Sequence, residues 1–410
     1  MDYYFGQNDA FSLMAKPAGP ACNLGCTYCY YLEKKNLYKQ EKSFRMTDEV
    51  LEEFIRQYIE SQHVPLVTFV WQGGEPCLMG IDFFKRAVQL QNKYAHGRQI
   101  TNAFQTNGIL LTHEWCRFLK ENNFLAGISV DGPRELHDHH RRLNNGSPTW
   151  ERVMKGISLL QEHEVAFNTL TVIHNHNSEY PLEIYHFLKN IGSRFQQYIP
   201  IVERESVDTQ HYPLKLVSPD YNKEAKLTPW SVKSRKYGEF MNTIFDEWVR
   251  HDVGQYFVQM FDATLACWAG EKPGICIYGE TCGDALVLEH NGDLYSCDHY
   301  VYPENLLGNI MKTSLPDLIN LPAHTAFGTK KASSLPEYCL HCKYRFACYG
   351  ECPKHRFDLT PEGEPGLNYL CEGLKLFYEH VEPYMQFMTN QLKNKRAPAN
   401  VMQWLKVTRR

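Results

Sequence analysis

The stretch Cys22-Asn23-Leu24-Gly25-Cys26-Thr27-Tyr28-Cys29 sets three cysteines within eight residues, on a loop that follows a short apolar run at Ser12–Lys16. Three thiolates on so short a loop can converge on one metal centre, and they are one ligand short of closing it. An iron–sulfur cubane held by Cys22, Cys26 and Cys29 keeps one iron free of protein ligands, an open position for a substrate or cofactor. The alternatives are a zinc knuckle and scattered structural thiols. Zinc needs a fourth ligand, and no His or Cys stands nearby at the usual spacing.

Outward from this loop the chain alternates strand and helix patterns. Residues 47–62 carry Val50, Leu51, Phe54, Ile55, Tyr58 and Ile59 at helical spacing, with Asp48 and Glu49 favouring a helix start. Leu66–Trp71 is a β-branched apolar run ending in the turn Gln72-Gly73-Gly74-Glu75-Pro76. The pattern then repeats as helix Ile81–Tyr94, strand 100–105, helix 112–121, strand 124–130, helix 149–163, strand 165–173, helix 179–191 and strand 195–202. Counting Ser12–Lys16, six strands alternate with helices, which predicts parallel strands with right-handed crossovers, in a doubly wound sheet or an open (β/α) barrel. In either, chemistry sits at the carboxyl ends of the strands. The unusual segments fall there: the cysteine loop, Gly73-Gly74-Glu75, Gln105-Thr106-Asn107-Gly108 and Ser129-Val130-Asp131-Gly132.

The totals set bounds. With 410 residues, 43% hydrophobic and 13% aromatic, the chain has the core of a globular enzyme, and no apolar run reaches membrane-spanning length. A net charge of −4 gives no bulk attraction to nucleic acid, and the local basic pairs read as solvated faces. Residues 1–11 lack the basic start and apolar middle of a secretory signal, so a cytoplasmic location is expected. Fourteen cysteines in a reducing compartment point to metal or cluster ligation rather than disulfides, and oxygen-sensitive clusters suggest an anaerobic setting.

Residues 203–230 form a polar, Pro-containing connection, residues 233–249 return to helical spacing, and a domain boundary is expected near residues 254–270. Beyond it, Cys276, Cys282 and Cys297 flank a predicted β-hairpin of residues 285–288 and 294–297, turned at Asn291-Gly292. Cys339-x2-Cys342-x5-Cys348-x3-Cys352 and Cys371 follow. These eight suffice for two fully ligated four-cysteine clusters, or for zinc-ribbon-like sites. Cys77, Cys116 and Cys267 carry no assigned role, and His137, His139 and His140 read as a solvated loop.

The C-x3-C-x2-C triplet with Tyr28 before its last cysteine resembles the signature of the radical S-adenosylmethionine (SAM) enzymes. The resemblance implies a partial (β/α)6 barrel with SAM chelated at the open iron. The downstream cysteines resemble the SPASM domain that follows this barrel in peptide-modifying members. By that resemblance Cys276, Cys282, Cys297 and Cys352 hold one auxiliary 4Fe–4S cluster, and Cys339, Cys342, Cys348 and Cys371 hold another, three clusters in all. The division implied is 1–255 for the barrel with its linker helix, 256–380 for the SPASM domain with a β-hairpin and C-terminal helix, and 381–410 for a helical tail.

Within this α/β class, Gln72 before Gly-Gly-Glu-Pro, Ser129-Val-Asp-Gly-Pro133 followed by His137 and Arg141, and Asp298 directly after Cys297 resemble the anaerobic sulfatase-maturating enzymes. That family oxidises one cysteine or serine of a sulfatase to Cα-formylglycine, with a deoxyadenosyl radical removing a Cβ hydrogen. The resemblance gives Asp298 the part of general base, since forming the carbonyl also requires loss of a proton from the hydroxyl or thiol; a surface or hairpin-capping Asp is the alternative. Gln72, Gly73, Gly74 and Glu75 match positions that meet SAM, as do Ser129 and Arg141, and Tyr28 and Val202 match positions near adenine. The implied partners are a sulfatase polypeptide and an electron donor such as flavodoxin or ferredoxin, with neither nucleic acid nor membrane. Two other readings share these cysteines: a SPASM maturase that crosslinks a ribosomally made peptide, and a zinc-stapled protein without enzymatic activity. Crosslinking maturases commonly carry a separate N-terminal peptide-recognition domain, and with roughly ten residues before the first strand none is expected here.

Overall fold

The computed structural model describes residues 10–38, 41, 43–207 and 214–408. Its first half is the expected alternation with one unexpected helix, α4, added: β1 (Ser12–Lys16), α1 (Asp48–Glu60), β2 (Leu66–Trp71), α2 (Ile81–Tyr94), β3 (Gln99–Thr106), α3 (His113–Glu121), β4 (Phe124–Ser129), α4 (Arg134–His140), α5 (Trp150–Glu162), β5 (Phe167–Ile173), α6 (Pro181–Asn190) and β6 (Phe195–Pro200). Local signals set the boundaries: the Thr47 and Thr112 side chains accept from the third residue on, Val50 and Trp115, capping α1 and α3. All neighbouring pairs from β1 to β6 are parallel.

The connection that follows is not featureless. It holds the antiparallel pair β7 (Arg204–Ser206) and β8 (Ala225–Leu227), then α7 (Ser234–His251), β9 (Phe257–Val258) and α8 (Gln259–Ala269). β9 adds in parallel to β6 and extends the sheet at that edge.

The hairpin expected in a separate cysteine-rich domain is hydrogen-bonded into the barrel sheet. Its first strand, β10 (Ala285–Glu289), pairs in parallel with β1 over five residues, and β11 (Asp293–Tyr295) and β12 (Leu306–Asn309) continue outward antiparallel. The result is one ten-stranded sheet in the order β12-β11-β10-β1-β2-β3-β4-β5-β6-β9. β10 thus lies beside β1 while β11 runs back antiparallel, and Asp298, next to Cys297 just beyond β11, reaches Tyr30 of the segment that follows Cys29.

Short helices α9 (Leu315–Ile319), α10 (Pro322–Ser333), α11 (Glu337–Leu340) and α12 (Arg345–Cys348), the hairpin β13 (Asp358–Leu359) and β14 (Pro365–Leu367), the long α13 (Cys371–Lys393) and α14 (Val401–Thr408) complete the chain. α13 runs through residue 381 without a break, so the tail expected to start there begins inside a helix. It crosses α7 at two glycines: a Cβ on Gly373 would sit 2.0 Å from the Ser234 carbonyl oxygen, and one on Gly238 2.4 Å from that of Gly373. The Gly373 N–H donates to Ser234 Oγ at 3.0 Å, so the helix that begins at Cys371 is anchored directly to the barrel's α7. No helix among the described residues is long and apolar enough to cross a membrane.

Candidate active site

The fold gathers the cysteines into three groups. Cys22, Cys26 and Cys29 share the loop after β1. This loop is tied to the segment after α4 by Gly25 N–H donating to the Arg142 carbonyl (2.8 Å) and Thr27 N–H to that of His140 (3.2 Å). Burial pushes the Cys22 and Cys26 thiols up to about 12, and Cys22 also meets Glu75, Cys26 and Cys29, whose charges further oppose its ionisation. Three soft thiols that resist ionisation by themselves, lying close together, suit a cationic centre that would hold them as thiolates. The group fits an iron–sulfur cluster with one open iron.

The second group is Cys276, Cys282, Cys297 and Cys352. Burial raises Cys352, and Glu351, Cys282 and Cys276 add to it; Cys297 is raised by burial, Asp298, Cys352 and Cys276. The third group, Cys339, Cys342, Cys348 and Cys371, lines a single small cavity with Arg345, Asn368 and Tyr378. Arg356 stands between the second and third groups, within the field of Cys339, Cys348, Cys282 and Cys352, and donates to the carbonyls of Gly350 (2.9 Å) and Lys331 (2.6 Å). Each downstream group offers four thiols, the number a closed 4Fe–4S cluster takes.

Around the first group the rim carries the motif residues. The Gly73-Gly74 turn, with φ of +88° and +29°, lets the chain pass close to other protein: a Cβ would lie 2.6 Å from Lys16 Cγ at Gly73 and 1.9 Å from the Ala21 carbonyl at Gly74. On this side the space left by the two glycines is filled by Lys16 and by the start of the cysteine loop. Glu75 is fully buried, and its carboxylate accepts from Asn107 N–H (2.8 Å), Thr106 Oγ1–H (2.7 Å) and Cys77 N–H (3.0 Å). It therefore locks the turn after β2 to the end of β3. Gln72 continues the end of β2, its N–H donating to the Ala15 carbonyl at 2.9 Å. On β4, Ser129 Oγ accepts from Gln105 Nε2 at 3.0 Å. Val202 is buried beyond β6 at the edge of a cleft shared with Tyr30, Glu203, His299 and Lys354.

Tyr28 and Arg141 meet at a residue the motif reading had left without a task. Asp131, fully buried, accepts from the Tyr28 hydroxyl (2.6 Å) and from Val172 N–H (3.1 Å), and lies 3.0 Å from Arg141 Nε. Burial opposes its ionisation, but Arg141, His137 and His174 outweigh that and hold Asp131 below the ordinary aspartate range. The histidines next to it correct the solvated-loop expectation. They belong to α4, where His139 is exposed but His137 and His140 are buried, and burial pushes both of the latter down to about 4. His140 packs edge-on against Tyr28, and His137 Nδ1 accepts from Asp131 N–H at 3.3 Å.

Asp298 follows Cys297 beyond β11. It is neither on the surface nor capping the hairpin: the Tyr30 hydroxyl donates to its Oδ2 at 2.7 Å and Lys16 Nζ lies 3.8 Å away. Burial would raise it, yet His299, Lys16, the Tyr30 bond and Lys354 together hold it well below the carboxylate range. Lys16 itself is buried at the end of β1 with its ammonium 3.5 Å from the centroid of the Tyr31 ring. Sequence reading missed Lys16, Tyr30 and Asp131 as site residues. The first had a signal, a lysine closing an otherwise apolar strand immediately before the cysteine loop.

Comparison with known proteins agrees with this architecture. Residues 17–188 match the radical SAM superfamily and residues 276–343 an iron–sulfur cluster-binding domain of the SPASM type. The protein is thus a radical SAM barrel joined to a SPASM domain. The chain is 51% identical to a serine-type anaerobic sulfatase-maturating enzyme of Bacteroides thetaiotaomicron over 96% of its own length and 95% of that protein. It is 31% identical to a cysteine-type enzyme of Clostridium perfringens, covering 93% and 99%. A solved structure of native anSMEcpe with bound AdoMet and a Cp18Cys peptide superposes with a TM-score of 0.81 at 31% identity, covering 94% of this chain and all of that one. The chain belongs to the family of anaerobic sulfatase-maturating enzymes.

Proposed function

We propose that this protein oxidises one serine or cysteine of a sulfatase polypeptide to Cα-formylglycine. The observation that carries the reading is the 2.7 Å bond from Tyr30 to Asp298. Tyr30 directly follows Cys29 of the open three-thiol group, and Asp298 directly follows Cys297 of a closed four-thiol group. One hydrogen bond thus sets a carboxylate between the two centres.

When bound, a SAM-chelated 4Fe–4S cluster at Cys22, Cys26 and Cys29 supplies the radical that removes the substrate's Cβ hydrogen atom. Asp298, ionised at neutral pH, accepts the proton of the hydroxyl or thiol, which the oxidation must also lose. Tyr30 and Lys16 orient that carboxylate. Gln72, Gly73, Gly74 and Glu75 shape the SAM side of the rim, with Ser129 and Arg141 as polar contacts and Tyr28 and Val202 as apolar walls. The groups Cys276, Cys282, Cys297, Cys352 and Cys339, Cys342, Cys348, Cys371 would hold the two auxiliary clusters, the nearer one beside Asp298 as electron acceptor. The division of labour follows residues 1–255 for radical formation, 256–380 for the auxiliary clusters and 381–410 for the tail. An electron donor of the flavodoxin or ferredoxin class and an anaerobic cytoplasm complete the setting, in keeping with fourteen free thiols.

The test is an anaerobic incubation with SAM, a reductant and two sulfatase-like peptides, one with Ser and one with Cys at the target. The 51% identity to a serine-type relative makes the Ser peptide the first to assay. Three clusters amount to about twelve irons per chain. The variant with Cys22, Cys26 and Cys29 all changed to Ala should keep about two-thirds of that iron and lose SAM cleavage. Cleavage surviving in that variant would defeat the proposal.

A further inference from the structure

On the outer face of the barrel, away from every cysteine group, three metal-ligating side chains converge. His113 is the first residue of α3, Glu162 the last residue of α5, and His163 the residue that ends it. His113 Nδ1 lies 3.0 Å from His163 Nε2 and 3.7 Å from Glu162 Oε1, and the three ligand atoms all fall within 4.8 Å of one another. The two rings meet edge to face at 64° with centroids 5.3 Å apart, so they do not stack and their nitrogens face each other.

These separations match a metal site. With metal–nitrogen bonds of about 2.0–2.1 Å, a tetrahedral ion needs its ligand atoms about 3.3–3.4 Å apart, and the measured 3.0 and 3.7 Å lie on either side of that. The rest of the surroundings agree. α5 ends at the site, and its free carbonyls favour a cation. The start of α3 acts in the opposite sense, and Glu114 in its first turn offsets it. His113 and Glu162 are 62% and 61% exposed, which leaves an entry path and room for water as a further ligand.

We propose that His113, Glu162 and His163 bind one divalent first-row transition ion, zinc in the first place, which fastens the start of α3 to the end of α5. Two imidazoles and one carboxylate select zinc-like ions over magnesium and calcium, which take oxygen ligands. Cys116, one turn further along α3, is buried beneath the site and is not one of the converging group. The ion is therefore held by nitrogen and oxygen alone, unlike any metal in the cysteine groups.

The experiment uses the cluster-loaded full chain, cleared of loose metal on a chelating resin and dialysed against zinc, with zinc and iron counted per chain. Wild type should retain one zinc more than His113→Gln and one more than His163→Gln at equal iron, and Cys116→Ser should match wild type. X-ray absorption at the zinc edge should show only N/O neighbours at about 2.0–2.1 Å. Equal zinc in wild type and both histidine variants would overturn the proposal, as would a sulfur shell near about 2.3 Å, which would put the zinc among cysteines. Equal iron across the variants shows that a lost zinc is not a lost fold.

Discussion

Two aspartates of the candidate site, Asp131 and Asp298, are built from the same parts and left in different states. Each accepts from a tyrosine of the cysteine loop, Tyr28 at 2.6 Å and Tyr30 at 2.7 Å, and each has a cation beside it. Asp131 is sealed at 0% exposure, with Arg141 at 3.0 Å and Val172 N–H on its other oxygen. Asp298 keeps 19% of its side chain exposed, with Lys16 no closer than 3.8 Å. A carboxylate saturated by fixed partners is a positioning device, because any proton it took would break an ion pair in a dry site. A carboxylate with one firm bond and an open side can receive a proton from a third party.

The largest effect is expected at Asp298. Asp298→Asn keeps the shape and removes the acceptor, so formylglycine formation should fall by about 10²–10⁴-fold while 5′-deoxyadenosine still appears, both read by mass spectrometry. Parallel loss of the two products would mean that Asp298 acts on the Cys297 group rather than on the substrate. Asp131→Asn should behave in the opposite way. Leaving Arg141 buried without its partner should weaken SAM binding by about 10²-fold, in line with the few kcal/mol lost when one member of a buried pair is removed, and both products should fall together. An unchanged ratio of affinities would show that Arg141 is held by other means. Tyr30→Phe removes one bond to an ionised group, about 1.5 kcal/mol or tenfold, and should lower formylglycine but leave SAM affinity alone.

The smallest effect is with pH, at a group that touches neither aspartate. His290, buried beside the hairpin turn, is opposed by burial but raised above the ordinary histidine value by Glu289 and Glu41. A raised folded value means the stabilisation is fully present below the unfolded value near about 6.5 and is lost as pH rises through the folded one. Thermal stability of wild type should therefore decline slightly as pH rises past the unfolded value, and His290→Gln should be flatter there. Both aspartates are depressed and stay ionised throughout that range, so the SAM-binding contrast between their variants should not change across it.

The alternation of strands and helices, the open triplet Cys22, Cys26 and Cys29, and the count of eight downstream cysteines were legible in the chain because each is a local pattern: spacing of apolar residues, loop length, ligand number. The α4 helix was not, since Arg134–His140 is a short polar segment whose burial comes from packing against Tyr28 and His174 rather than from its own periodicity. For the same reason three histidines that look solvated in sequence include two that are buried and neutral.

Local residue patterns alone set most of the elements, the residue types at the strand ends and the family they resemble. Only the tertiary structure decided that β10 pairs with β1, which brings Asp298 to Tyr30 across 268 residues of chain, and that Gly373 meets Gly238, which anchors the helix of Cys371 to the barrel. It also decided that Glu75 and Asp131 spend their carboxylates on the protein. The physical reason is common to all three. Strand edges, glycine crossings and buried acids find partners through long-range packing and the cost of leaving a polar group dry and unpaired, and neither is written in any one stretch of residues.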